Sequence, residues 1–298
     1  MPDEQMEFKP ASHLMSADEV VHLAEIFISQ GIRKIRLTGG EPLVRKDAKE
    51  IIERLAQYPI ELSLTSNGVF IDKHINSLIA AGVHYINISL DTLDPIKFKS
   101  ITQRDVFDKV WSNVKLLLQH QIHVKINCVV MKGINDSEIA AFVQLTKDLP
   151  LHIRFIEFMP FTGNDWNKNK VFTHSEILAE IEKEFFFIKL QDAKHDTAKK
   201  YQVQGHKGTF AVITTMSEPF CSDCNRLRLT ADGKLKNCLF SAEESDLLNQ
   251  LRAGKDILPL IQQSVLNKKM SRGGQFGDTF SETDPLKLIN RSMIDIGG

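Results

Sequence analysis

Between residues 17 and 184, runs of strand-forming residues alternate with amphipathic helical patterns, and nothing else in the chain restricts the fold as much. Strand patterns at 34–38, 61–65, 84–90, 124–130 and 152–158 are separated by helical patterns at about 47–57, 71–81, 107–119 and 137–147. A further helix at about 17–30 precedes the first strand, opened by the Ser16–Glu19 capping box and closed by Gly31, and another covers about 175–184. Parallel strands need a crossover long enough to hold a helix, so this order predicts an α/β fold with parallel strands inside and helices outside. An open sheet and a β/α barrel both satisfy it, and in both the ligand site lies at the C-terminal strand ends. Polar residues collect there: Thr38 to Glu41, Thr65 to Asn67, Ser89 with Asp91, and Glu157 with Met159. From about residue 185 the pattern changes. Phe185, Phe186 and Phe187, expected in the core, open a β-rich segment with strands at 201–203 and 209–215, then helices at about 242–252 and 257–267. The expected division is therefore 1–184 and 185–298.

The net charge of −1 excludes a general affinity for nucleic acid or membranes, so any anion recognition must be local. No apolar run approaches the length of a membrane span, and the acidic, polar start argues against a signal or transit peptide.

Residues 220–240 read FCSDCNRLRLTADGKLKNCLF and hold three of the four cysteines. Cys221 and Cys224 form a C-x-x-C knuckle, and Cys238 returns after thirteen intervening residues. Such spacing aims three thiolates at one metal group. Two readings stay open: an iron–sulfur cluster with one iron free for substrate, or a zinc knuckle with a distant fourth ligand. A disulfide would leave an odd cysteine, and Cys128, in an apolar run, reads as core. Arg226 and Arg228 follow the knuckle before a turn at 231–234, and alternation along a strand places both guanidiniums on one side as an anion clamp.

Gly39 and Gly40 let a ligand approach the backbone, and Glu41 can accept from an ammonium; the plainer reading is a tight turn with an exposed glutamate. Arg36 and Lys125 sit within strands and are expected in the lumen, either for an anion or as a salt bridge across the barrel. His123 and His152 read as surface or core residues. Gly297 and Gly298, taken alone, are a frayed end.

Together, residues 36–42 (RLTGGEP), 86–91 (INISLD), 124–127 (VKIN) and 154–159 (RFIEFM), the cysteine stretch and the terminal Gly-Gly resemble the molybdenum-cofactor GTP 3′,8-cyclases, a family of radical S-adenosylmethionine enzymes. The resemblance runs through nearly the whole chain. It implies an incomplete (β/α)6 TIM-like barrel, here lacking its first strand, with a β-rich and helical C-terminal extension carrying a [4Fe–4S] cluster. The implied activity is conversion of GTP to (8S)-3′,8-cyclo-7,8-dihydroguanosine 5′-triphosphate by a 5′-deoxyadenosyl radical, the first step of molybdopterin synthesis. Gly39, Gly40, Ser89 and Met159 would contact S-adenosylmethionine, with Glu41 near its amino group. Arg36, Thr65, Lys125, Arg226 and Arg228 would hold GTP, and Cys221, Cys224 and Cys238 the cluster. Arg226, Arg228 and Lys125 would serve catalysis together with Gly297 and Gly298, which would reach into the site.

The family's C-x-x-x-C-x-x-C loop, which binds a second [4Fe–4S] cluster, ends on a cysteine followed by Met-Pro, and this chain opens on Met1 and Pro2. The expectation is that those ligands are absent and the chain alone is inactive. Partners implied are GTP, S-adenosylmethionine and an electron donor; a homodimer is compatible, and neither nucleic acid nor membrane is called for. The compartment would be the cytoplasm, or the mitochondrial matrix in a eukaryote. Rival readings are a non-catalytic GTP-binding iron–sulfur protein and a radical enzyme with another substrate.

Overall fold

The structure is a computed structural model that describes residues 9–277, 284 and 287–296. Gly297 and Gly298 lie outside the described residues. Eight strands form one sheet in the order β1-β2-β3-β4-β5-β8-β7-β6. They are β1 (Lys34–Leu37), β2 (Glu61–Ser66), β3 (Tyr85–Ser89), β4 (His123–Val130), β5 (His152–Glu157), β6 (Phe187–Lys189), β7 (Lys199–Val203) and β8 (Thr209–Ile213). β1 to β5 run parallel in sequence order, and β8 adds a sixth parallel strand beside β5. The strand expected within the C-terminal extension thus completes the six-stranded parallel set, and antiparallel β7 and β6 continue the same sheet.

Helices fill the crossovers. α1 (Ala17–Ser29) carries the expected capping box: Glu19 N–H donates to Ser16 Oγ and Ser16 N–H to the Glu19 carboxylate. α2 (Ala48–Leu55) and α3 (Ile71–Ala80) follow. α4 (Pro95–Thr102) was not legible in the apolar pattern, because Phe98 is its one buried residue; its signal is Asp94, whose carboxylate caps Ile96 and Lys97 N–H, with Pro95 in the first turn. α5 (Phe107–Gln119), α6 (Ile139–Leu145) and α7 (His174–Glu182) complete the outer layer.

The sheet has two unlike faces. Ile86 and Ile88, Val124 and Ile126, Ile153 and Phe155, and Phe210 and Val212 are all at most 1% exposed and pack under the helices. Burying each such side chain stabilises the fold by about 1.5–3 kcal/mol. Their alternating neighbours line the concave face and are polar: Arg36, Ser63, Thr65, Asn87, Lys125, Asn127, Arg154. The Phe triplet divides for the same reason. Phe187 packs on the core, whereas Phe186, just before the edge strand β6, is 75% exposed.

The C-terminal part builds a second, three-stranded sheet from β9 (Arg228–Leu229), β10 (Lys234–Lys236) and β11 (Ser245–Asp246), with α8 (Leu247–Arg252), α9 (Leu258–Leu266) and α10 (Met293–Ile296). The helix expected from residue 242 starts at Leu247, because Ser245 and Asp246 pair with β10 instead. Gly233 turns the β9–β10 hairpin at φ +68°, and a Cβ there would lie 2.3 Å from Leu248 Cβ. Leu247 and Leu248 N–H donate to the Gly233 carbonyl at 3.0 and 3.2 Å, which holds the hairpin on α8, and Leu23 of α1 joins the same buried cluster as Leu235 and Leu248.

Candidate functional site

Arg36, Lys125, Arg154, Arg226 and Arg228 face one concavity from β1, β4, β5 and the cysteine hairpin. Burial pushes Lys125 down to about 8, and the positive fields of Arg154, Lys34 and Arg36 add to it. Arg154 is pushed down to about 9 by burial and then by Arg36 and Arg226. Arg228 falls to about 10 by burial and the fields of Arg226 and Arg36, with Cys238 and Cys224 pulling the other way. Arg36, exposed along one side, is lowered by desolvation and then by the field of Arg226, with Glu61 pulling the other way. These mutual effects bring together residues more than a hundred positions apart in sequence. Among the described residues, Arg36, Lys125, Arg154 and Arg226 form no ion pair; the nearby pairs, Lys34–Glu61 and Lys200–Asp196, involve other lysines. The salt bridge across the barrel, the plainer expectation for Arg36 and Lys125, is not what their surroundings provide. Lys125 instead lies over the Tyr85 ring at 5.4 Å, and Tyr85 stacks on His123. His152 donates to or accepts from Thr209 Oγ1 at 2.7 Å, and burial lowers it to about 3, so it stays neutral.

Thr65 is buried on β2, its hydroxyl accepting from Asn87 Nδ2 at 3.0 Å. At the C-terminal strand ends, Gly39 and Gly40 follow β1, Ser89 ends β3 with an exposed side chain, and Met159 lies two residues past β5. Met159 packs on two apolar clusters, one with Phe158 and Trp166, the other with Phe161 and Phe240. Glu41 is turned inward. Its carboxylate accepts from Leu43 N–H at 3.1 Å, Ser66 Oγ at 2.9 Å and Asn67 N–H at 2.6 Å, tying the ends of β1 and β2. Burial raises its pKa against those donors. A Cβ on Gly40 would meet Ile294 Cγ2 at 3.7 Å, so the C-terminal segment lies over the glycine turn.

Cys221, Cys224 and Cys238 are free thiols, half-buried beside the cations. N–H groups point at two of the sulfurs. Arg272 N–H donates to Cys221 Sγ at 3.3 Å, and Lys268 Nζ lies 3.6 Å from Cys224 Sγ while donating to the Cys224 carbonyl at 2.8 Å and the Arg226 carbonyl at 3.1 Å. Burial opposes ionisation of Cys224, but hydrogen bonds from Arg226 and the Arg226 and Lys268 charges outweigh it and lower the thiol. Among the described residues no three His, Cys, Asp or Glu side chains converge as the shell of a single metal ion. At a zinc–sulfur distance of about 2.3 Å such ligands would nearly touch.

Arg154, Asn127 and Lys268 were passed over as site residues. The rule that picked out Arg36 and Lys125, a charge inside a strand, also marks Arg154.

Residues 3–146 match the Radical SAM superfamily, and residues 151–273 match Molybdenum Cofactor Synthesis C. The mitochondrial GTP 3′,8-cyclase of Arabidopsis thaliana is 44% identical over 305 residues, covering 100% of this chain and 76% of the plant protein. The chain belongs to the GTP 3′,8-cyclase family. Molybdenum cofactor biosynthesis protein 1 of Dictyostelium discoideum is 41% identical over 307 residues, covering 99% of this chain and 49% of that protein. This family member therefore spans about half the length of several longer relatives. The crystal structure of Streptococcus suis SuiB bound to S-adenosylmethionine shares the cyclase-family fold at a TM-score of 0.64, with 14% identity over 98% of this chain and 72% of that one. Membership of the radical SAM superfamily implies a [4Fe–4S] cluster and S-adenosylmethionine. Among the described residues no helix of this family member is long and apolar enough to cross a membrane.

Proposed function

We propose that this chain forms the GTP- and S-adenosylmethionine-binding body of a GTP 3′,8-cyclase, which converts GTP to (8S)-3′,8-cyclo-7,8-dihydroguanosine 5′-triphosphate at the start of molybdenum-cofactor synthesis. The observation that carries this reading is the gathering of Arg36, Lys125, Arg154 and Arg226 in the lumen, none of which forms an ion pair among the described residues. Like charges this close cost stability, and a polyanion between them turns that cost into binding energy. Guanidinium forks match phosphate oxygens in pairs, which suits Arg36, Arg154, Arg226 and Arg228, while Lys125 acts as a compact charge.

Cys221, Cys224 and Cys238 fit an iron–sulfur cluster, since the N–H donors at Cys221 and Cys224 favour thiolates and a C-x-x-C knuckle with a returning third cysteine suits such a group. Such a cluster supplies an open iron that can take a ligand atom of the base. The protein's part is to fix the nucleotide between this end and the cations, so that the ribose faces the glycine turn. There Gly39, Gly40, Ser89 and Met159 would seat S-adenosylmethionine. Glu41 supports the turn by holding the strand ends rather than by presenting a free carboxylate. An external one-electron donor is required, and free thiols suit the reducing cytoplasm or mitochondrial matrix.

The test is calorimetry on the anaerobically reconstituted chain. About one [4Fe–4S] cluster per chain is expected, and a tightly bound zinc with no iron uptake would reverse the cysteine assignment. Arg228→Ala should weaken GTP by about 1.5–3 kcal/mol more than guanosine. Equal losses for the two ligands would remove Arg228 from the phosphates.

A further inference from the structure

The ammonium of Lys268 rests on the cysteine knuckle. It donates to the Cys224 and Arg226 carbonyls at 2.8 and 3.1 Å and lies 3.6 Å from Cys224 Sγ. An ammonium has three N–H donors, and these three acceptors can engage all of them. The inward direction is particular to this residue. Lys268 comes two residues after α9 and is half-buried, while Lys269 and Met270 beside it are exposed. Further along the same segment, Arg272 N–H donates to Cys221 Sγ at 3.3 Å. Residues 268–272 therefore bring one donor to each sulfur of the C-x-x-C pair. The two donors differ in kind: a peptide N–H carries no net charge, and the ammonium carries a full one. Its two carbonyl bonds keep that charge beside Cys224.

We infer that Lys268 is a positioning residue that raises the reduction potential of the group held by Cys221, Cys224 and Cys238. This rests on the reading of those cysteines as iron–sulfur ligands. A donor and a positive charge at a ligand sulfur both favour the state that carries more negative charge, which is the reduced one. Reduction adds one electron from an external donor. No bond to Lys268 forms or breaks, and the ammonium keeps its proton.

The experiment reconstitutes wild type, Lys268→Met and Lys268→Arg without oxygen, measures iron per chain, and follows cluster reduction by electron paramagnetic resonance in a dithionite titration with redox mediators. Lys268→Met keeps the apolar stem without donors or charge, and Lys268→Arg keeps both. Loss of a charge-assisted contact should shift the oxidised-to-reduced ratio at a given potential about 10-fold toward the oxidised form, a fall in midpoint of about 59 mV. Lys268→Arg should stay near wild type. A lysine that only ties the loop would lower iron content or melting temperature in Lys268→Met and leave the midpoint of loaded chains unchanged, and that result overturns the inference. If Lys268→Met takes up no iron, Lys268→Gln, which keeps N–H donors without the charge, is titrated in its place. A lower midpoint there supports the inference; an unchanged midpoint, or loss of iron from this variant too, overturns it and leaves the cysteine assignment standing. A wild-type chain that binds zinc and takes up no iron removes the cysteine assignment itself, before any variant is compared.

Discussion

Arg154 and Phe155 are consecutive residues of one strand and lie on opposite faces of one sheet. Phe155 is fully buried and packs edge-on against Phe142 at 6.3 Å. Arg154 is almost as buried, among other cations, with an unmatched Nε. Burial is similar and its consequence is opposite: one face supplies stability, and the other buries charge at a cost, which the proposed nucleotide would offset. The comparison teaches that folding and binding can be separated in this chain by choosing the face.

The largest expected effect is on the apolar face. Phe155→Ala should lower unfolding free energy by about 3–5 kcal/mol in denaturant titration, leaving GTP affinity of the folded fraction unchanged. A comparable loss of affinity would mean that the two faces are coupled. Next comes Arg154→Met. Removing a buried cation that has no ion pair among the described residues should raise the stability of the ligand-free chain by about 1–3 kcal/mol and weaken GTP by a similar amount. A less stable variant would show that Arg154 supports the fold and erase the contrast.

The third effect is a pH dependence. Burial holds Lys125 near 8 in the folded chain, against 10.5 ordinarily. Between about 8 and 10.5 the unfolded chain keeps a proton that the folded chain has released, so ligand-free stability should rise with pH across that window. GTP affinity should fall over the same range as the charge is lost. Lys125→Met should flatten the Lys125 part of both trends, and unchanged slopes would remove Lys125 as their source. The smallest effect belongs to Tyr85→Leu, which deletes the ring under Lys125 and Lys34. At an exposed site this should cost about 0.5–1 kcal/mol, read by thermal melting.

The fold was legible where local signals agree. The Ser16–Glu19 box, the apolar runs at 86–90 and 124–130 and the hairpin turn at Gly233 each declare an element through neighbouring residues. It failed where partners are distant. Residues 209–213 read as one more strand of an extension, and only pairing with β5 makes them the sixth parallel strand. Phe186 is as apolar as Phe187, but it precedes β6 at the edge of the sheet and stays 75% exposed, whereas Phe187 packs on the core. Glu41 was legible as a residue of the site turn, but its orientation depends on Ser66 and Asn67 at the end of the next strand.

The sequence by itself determined the alternating α/β order, the spacing of three thiols, and the cations within strands, because periodicity and residue chemistry are local properties of the chain. The tertiary structure decided that Arg36, Lys125, Arg154, Arg226 and Arg228 share one concavity and which buried atoms there await a partner. Those facts depend on strand register and on the hairpin packing against α1 and α8, and both are set by packing between segments far apart in sequence.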